Sequence, residues 1–218
     1  MPEPIRLGVL LSGGGRTLEN ILAEIDGGRL AGLAEVAVVV ASRPGIRGID
    51  IGEAAGVPVH LVRRRDYEKV DAYSEAMARV LDEARVDLVC QAGFLSYWIV
   101  PDRYAGRVMN IHPALLPSFG GKGMYGHRVH EAVLARGCKV SGCTVHFVNN
   151  EYDAGPIVLQ RAVRAYADDT PDTLAARVFT EECEAYPEAI RLFAEGKLRV
   201  AAGVVHIDES DYQRPEET

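Results

Sequence analysis

Asn110 and His112 stand two residues apart in the run Arg107-Val-Met-Asn-Ile-His-Pro-Ala-Leu-Leu-Pro117. In an extended segment that spacing turns both side chains to one face, and Pro113 then stops the ladder. A primary amide can donate to a developing oxyanion, and an imidazole can exchange a proton near neutral pH. Taken alone, His112 reads more readily as a core histidine satisfying a backbone carbonyl than as a catalytic group. Asp153, in Asn149-Asn-Glu-Tyr-Asp-Ala-Gly-Pro156, is a carboxylate on a turn, able to orient a nearby histidine or simply to close that turn. A third feature is Ser12-Gly13-Gly14-Gly15-Arg16-Thr17, which runs into a helix opening at Leu18. Glycine backbone beside a helix N-terminus suits an anion, and it also suits a tight strand-to-helix turn. It lacks the last glycine of a dinucleotide fingerprint and the lysine of a Walker loop. His127-x-x-His130 has no H-E-x-x-H companion, and the cysteines at 90, 138, 143 and 183 show no zinc spacing, so no metal site is expected. Arg63-Arg64-Arg65 is, on sequence grounds, a solvated charge run.

To bring these residues together the chain needs a scaffold of buried strands. Ile5–Leu11, Glu35–Ala41, Val57–Val62, Val86–Ala92 and Arg107–His112 are short, nearly continuous apolar runs, as expected of parallel strands covered on both faces. Helix-period segments alternate with them: Leu18, Ile21, Leu22 and Ile25 mark one face, and Tyr73, Met77 and Val80 another. The alternation predicts an α/β fold, a doubly wound, mostly parallel sheet with right-handed crossovers. Ligands in such sheets sit beyond the carboxyl ends of the strands, which is where Asn110 and His112 fall. After His112 the rhythm changes. A glycine-rich stretch, Ser118 to Gly126, precedes a helix near His127–Arg136, and Thr144–Val148 and Ile157–Val163 then predict an antiparallel hairpin. Thr170–Glu195 is the longest helical stretch, with Pro171 suited to its first turn after a threonine cap. The expected organisation is one domain over 1–207 and an acidic tail over 208–218.

The composition narrows the function. The 218 residues are 48% hydrophobic and carry 24 Lys and Arg against 31 Asp and Glu, a net charge of −7. That balance repels nucleic acid and predicts no nucleic-acid partner. The apolar run Leu7–Leu11 is too short for a signal peptide or membrane span, which predicts a cytoplasmic protein with no membrane partner and reduced thiols.

Together, Ser12-Gly13-Gly14-Gly15, Gln91-Ala-Gly-Phe-Leu95, Asn110-Ile-His-Pro-Ala-Leu-Leu-Pro117, Thr144-Val-His-Phe-Val148 and Asp153-Ala-Gly-Pro156 resemble, in order, the formyltransferase family that uses 10-formyltetrahydrofolate. The resemblance spans residues 5 to about 200. It implies a Rossmann-like formyltransferase fold and formyl transfer from 10-formyltetrahydrofolate, as co-substrate and without a metal, to the amine of glycinamide ribonucleotide in purine biosynthesis. By position it implies Asn110, His112 and Asp153 as catalytic residues, and Gly15, Arg16 and Thr17 at the ribonucleotide phosphate. It further implies Glu182 as a contact to that substrate, and Leu95, Ser96, Tyr97, Trp98, Asn149 and Asn150 as folate-pocket walls. Common members carry Ser-Asn where this chain has Arg16-Thr17, so Arg16 is placed to add a charge-assisted bond. The family's tRNA-directed members are expected to carry an extra C-terminal domain. Its 10-formyltetrahydrofolate hydrolases, with water as acceptor, are the alternative reading, and a non-catalytic nucleotide sensor leaves Asn110, His112 and Asp153 unexplained. Monomer and homodimer are both compatible with the sequence.

Overall fold

The computed structural model describes residues 3–208; the expected acidic tail from 209 onward lies outside the described residues. Seven strands form the main sheet: β1 (Ile5–Leu11), β2 (Ala34–Ala41), β3 (Val59–Leu61), β4 (Leu88–Gln91), β5 (Val108–His112), β6 (Val140–Phe147) and β7 (Ile157–Arg164). Their order is β3-β2-β1-β4-β5-β6-β7. The first five are parallel; β6 and β7 are antiparallel. Helices α1 (Arg16–Gly27), α2 (Arg47–Ala54), α3 (Val70–Glu83), α4 (His127–Ala135) and α5 (Pro171–Ala194) cover it. Leu7 and Val9 to Leu11 are fully buried, as a strand sandwiched between helical layers requires.

Two apolar cores lie on the two faces. Leu18 and Ile21 of α1, Val133 of α4, and Leu174, Val178, Tyr186 and Ile190 of α5 share one with alternate residues of β1, β4 and β5. On the other face α3 packs Tyr73, Met77 and Leu81 against Leu10, Val38 and Val89. The chain leaves β1 toward β2 and β3, then returns to lay β4 on the other side. A crevice therefore opens between the loops after β1 and β4. Those loops are tied together: Ser12 N–H donates to the Gly93 carbonyl (3.2 Å), and Leu95 N–H to Ser12 Oγ (2.8 Å).

The sequence places these elements closely. It misses α2, whose eight residues include Gly48 and Gly52, and a terminal hairpin, β8 (Leu198–Ala201) with β9 (Val204–Ile207). The expected strand Val57–Val62 shortens to Val59–Leu61, and Val86–Ala92 to Leu88–Gln91.

Helix α5 begins as expected, with Thr170 and Thr173 exchanging side-chain-to-backbone hydrogen bonds of 3.2 and 3.0 Å and Pro171 in the first turn. Tyr186 reaches from it through the core, donating to the Met109 carbonyl at 2.9 Å and lying 3.1 Å from that of Gln91. Pro187 lies inside the helix and has no N–H for the Cys183 carbonyl. Asn20 of α1 supplies the missing donor, its Nδ2 lying 3.0 Å from Cys183 O.

Candidate active site

Asn110 and His112 project from β5 into a cavity of about 390 Å³ that reaches from Arg16, Thr17 and Glu182 to Leu95, Tyr97 and Trp98. Register sets what lies beside them. Asn110 pairs across the sheet with His146 of β6, and His112 with Thr144. Thr144 Oγ1 donates to the Ala114 carbonyl (2.7 Å) and accepts from Leu116 N–H (3.0 Å), which pins the loop leaving His112.

His146 is buried, and its Nδ1 lies 3.0 Å from the Phe147 carbonyl, so Nδ1 carries the proton. Its Nε2, 3.2 Å from Asn110 Nδ2, then accepts from the amide. One amide hydrogen is thereby fixed and the other left to donate elsewhere. Burial lowers the His146 pKa, against the opposing pull of the Phe147 carbonyl and the Asp153 charge. Sequence reasoning quoted His146 inside a motif without assigning it. Its partner is set by register across a hairpin, a signal that only the Asn110–His146 pairing reveals.

His112 is held differently from the expectation. Its Nε2 donates to the Phe119 carbonyl at 2.8 Å, while Nδ1 lies 3.7 Å from Asp153 Oδ1, beyond a hydrogen bond. The carbonyl fixes the ring; the carboxylate faces the nitrogen left for proton exchange. Asp153 itself accepts from Gly121 N–H at 2.8 Å and stands 3.8 Å from His146 Nε2. Phe119 and Asp153 both adopt left-handed backbone, with φ of 57° and 54°. Such conformations cost about 1–3 kcal/mol each and persist where surroundings enforce them. A Cβ at Gly120 would meet Leu116 Cδ2 at 2.6 Å and Asp153 Cβ at 3.2 Å, so the loop carrying Phe119 approaches the carboxylate only because residue 120 is glycine.

At one end of the cavity the Arg16 guanidinium lies 3.5 Å over the Phe179 ring, and both side chains line the cavity. Glu182 follows one turn later on α5. Burial pushes its carboxyl up to about 7, with Arg16 pulling the other way. Gly15 caps α1 in left-handed backbone (φ 73°), and a Cβ there would sit 2.6 Å from Gly48 Cα. This residue shapes the loop but does not line the cavity, unlike Arg16 and Thr17. Phe179 escaped sequence analysis because it reads as one more apolar helix position.

At the other end Leu95, Ser96, Tyr97, Trp98 and Asn149 line the cavity. Asn150 does not. Its Oδ1 accepts from Val100 N–H at 2.9 Å and its carbonyl accepts from the Tyr97 hydroxyl at 3.2 Å, so it braces two loops. Tyr97 and Tyr152 face each other with ring centroids 5.3 Å apart. Two buried polar atoms of lining residues, Trp98 Nε1 and His130 Nδ1, have no partner among the described residues. Burial, with the nearby His127 and His112 charges, lowers the His130 pKa to about 4. An apolar wall of this kind suits a flat heterocycle. The four cysteines are free, with Cys90 and Cys143 buried. Among the described residues no group of three or more His, Cys, Asp or Glu is placed to hold a metal, and no helix is long and apolar enough to cross a membrane.

The chain is 39% identical over 203 residues to a chloroplastic phosphoribosylglycinamide formyltransferase of Arabidopsis thaliana, covering 91% of this chain and 68% of that one. It is 38% identical over 198 residues to the trifunctional purine biosynthetic protein adenosine-3 of Gallus gallus, covering 90% of this chain but spanning only 19% of that relative's length. The crystal structure of glycinamide ribonucleotide transformylase 1 from Symbiobacterium toebii superposes with a TM-score of 0.86 at 40% identity, covering 95% of each chain. The family model described as formyl transferase matches residues 5–190, and the chain belongs to the formyl transferase family.

Proposed function

We propose that this chain transfers the formyl group of 10-formyltetrahydrofolate to the amine of glycinamide ribonucleotide, giving formylglycinamide ribonucleotide and tetrahydrofolate. The observation that carries this reading is the meeting of Asn110, His112, His146 and Asp153 in one cavity, between a cationic end at Arg16 and an apolar wall at Leu95 to Trp98. The donor brings an acyl carbon activated by its bond to N10. Arg16, Thr17 and the N-terminus of α1 hold the ribonucleotide phosphate, and Glu182 contacts the same substrate. The amine nitrogen bonds to the formyl carbon and the carbon–N10 bond breaks. In between, the carbonyl oxygen gains charge, and the free amide hydrogen of Asn110 donates to it. His112, through Nδ1, carries the proton lost by the amine toward N10, on the side that faces the Asp153 carboxylate. No step calls for a metal. The acceptors and donors are small molecules, with no nucleic acid, and the setting is the cytoplasm, as monomer or homodimer.

The test is to mix pure protein with 10-formyltetrahydrofolate and follow tetrahydrofolate release with and without glycinamide ribonucleotide. Release that depends on the amine is expected. Equal release in its absence overturns the proposal in favour of hydrolysis.

A further inference from the structure

Strands β2, β1 and β4 lie side by side, and the loops leaving their carboxyl ends meet at one serine. Ser12 follows β1 directly and is buried, as is Ser42, which follows β2. Their hydroxyl oxygens are 2.6 Å apart. Ser12 Oγ also accepts from Leu95 N–H at 2.8 Å, while Ser12 N–H donates to the Gly93 carbonyl at 3.2 Å. The bond to Gly93 is open to any residue at position 12 except proline. The hydroxyl adds a second point of attachment two residues further on. Two points fix a direction where one leaves the segment free to swing.

The direction so fixed is that of the wall from Leu95 to Trp98. Its far end is pinned in the same manner, Ile99 N–H donating to Ser74 Oγ (2.8 Å) and Val100 N–H to Asn150 Oδ1 (2.9 Å). Of these three side-chain anchors, only Ser12 stands on the loop that continues to Arg16 and Thr17, at the cavity's other end. That loop is fastened in turn to α2, where Gly48 N–H donates to the Gly13 carbonyl at 3.3 Å. Transfer between two bound substrates needs the reacting atoms about 3–3.5 Å apart, and a misplacement of about 1 Å costs about a hundredfold in rate. We propose that Ser12 is a positioning residue that sets the span between the two substrate sites, its hydroxyl tying the donor wall to the loop that ends at Arg16 and Thr17. The assignment rests on the two-substrate reading above and deepens it. Each end keeps its own contacts without the hydroxyl, so either substrate alone is indifferent to it. Only their joint placement depends on it.

The test compares wild type with Ser12→Ala and Ser42→Ala. Trp98 is the chain's one tryptophan and lines the cavity, so its fluorescence follows tetrahydrofolate binding without turnover, and calorimetry follows glycinamide ribonucleotide. A third ligand joins the ribonucleotide, through a short alkyl bridge, to a folate analogue with carbon in place of N10. Spanning both sites, it should bind wild type about a hundredfold or more tightly than either part. Ser12→Ala should bind each single substrate close to wild type, lose about tenfold or more of the linked ligand's advantage, and lower kcat by about tenfold to a hundredfold. Ser42→Ala removes the other hydroxyl of the pair and leaves the Leu95 bond in place. It should lose stability in urea unfolding to a similar degree, yet keep both kcat and the linked ligand's advantage. Equal losses of kcat in the two variants overturn the proposal, since a merely structural hydroxyl pair predicts them. So does an advantage that survives Ser12→Ala, or a fall in single-substrate affinity that accounts for the whole loss. Wild type that binds neither single substrate overturns the two-substrate reading itself.

Discussion

Neutrality is what lets His146 accept the Asn110 amide, and burial keeps it neutral. Its replacement should loosen a donor without removing it. His146→Ala is expected to lower kcat by about tenfold to a hundredfold through misplacement, with smaller changes in KM, and His146→Gln, whose carbonyl can accept, should recover part of it. Equal losses in both variants would mean that the imidazole does something other than hold the amide. Removing the donor itself goes further: Asn110→Ala and His112→Ala should each cost about a hundredfold or more in turnover while remaining folded by circular dichroism. Asp153→Asn is a clean probe because asparagine tolerates the left-handed backbone at 153, so only the charge is lost. Turnover should fall strongly, KM little, and the loss should combine non-additively with His112→Ala. Multiplicative losses in that cycle would assign the two groups to separate steps. Asn110 and His112 are legible in the sequence because period two and a following proline are local signals. Asp153 is legible as a turn acid. The Phe119 carbonyl and His146 are not, since a backbone acceptor leaves no side-chain mark and a cross-strand partner depends on register.

Helices α1 and α5 form a clamp across the Arg16 end of the cavity, joined by Arg16 on Phe179 and by Asn20 on Cys183. Phe179→Leu keeps an apolar side chain and removes the ring face, worth about 0.5–2 kcal/mol to a stacked guanidinium. We expect KM for the ribonucleotide to rise several-fold with kcat nearly unchanged, while the phosphate-free riboside shows no difference between parent and variant. An equal rise for the riboside would separate Phe179 from phosphate recognition. Gly15 acts at the same helix end in another way. With φ of 73° and a Cβ position 2.6 Å from Gly48 Cα, Gly15→Ala should lower stability by about 1–3 kcal/mol in urea unfolding before any effect on ligand is read. An unchanged midpoint would show that the α1–α2 contact yields freely. The neighbouring α2 illustrates why some elements evade sequence reading. Gly48 and Gly52 look like breakers, yet the helix needs their smallness, since a Cβ at Gly48 would sit 2.8 Å from Leu11 Cδ1. The β8–β9 hairpin, two strands of four residues with Val200 and Val204 exposed, carries too little burial pattern to read. The buried parallel strands and α5 do carry it.

Over the whole molecule two groups of the cavity, the buried His130 and the partly buried Glu182, oppose each other in pH. His130, lowered from about 6.5 to about 4, refuses a proton that the unfolded chain accepts, so its contribution to stability is full above pH 6.5 and falls as pH drops toward 4. Glu182, raised from about 4.5 to about 7, keeps a proton that the unfolded chain has released, so its contribution falls as pH rises from 4.5 through 7. The two slopes offset between about pH 4.5 and 6.5. Glu182→Gln removes one of them. Its Tm should exceed the parent's by about 2–6 °C at pH 8, and the gain should shrink toward pH 5. A gain independent of pH would show that Glu182 does not titrate across this range. A different kind of interdependence follows from Pro187. Any residue placed there that can donate its N–H would give the Cys183 carbonyl a second donor within its own helix, in competition with Asn20. The more regular helix would be the more poorly attached one. Positions 20 and 187, on separate helices and 167 residues apart, are thus coupled through a single carbonyl.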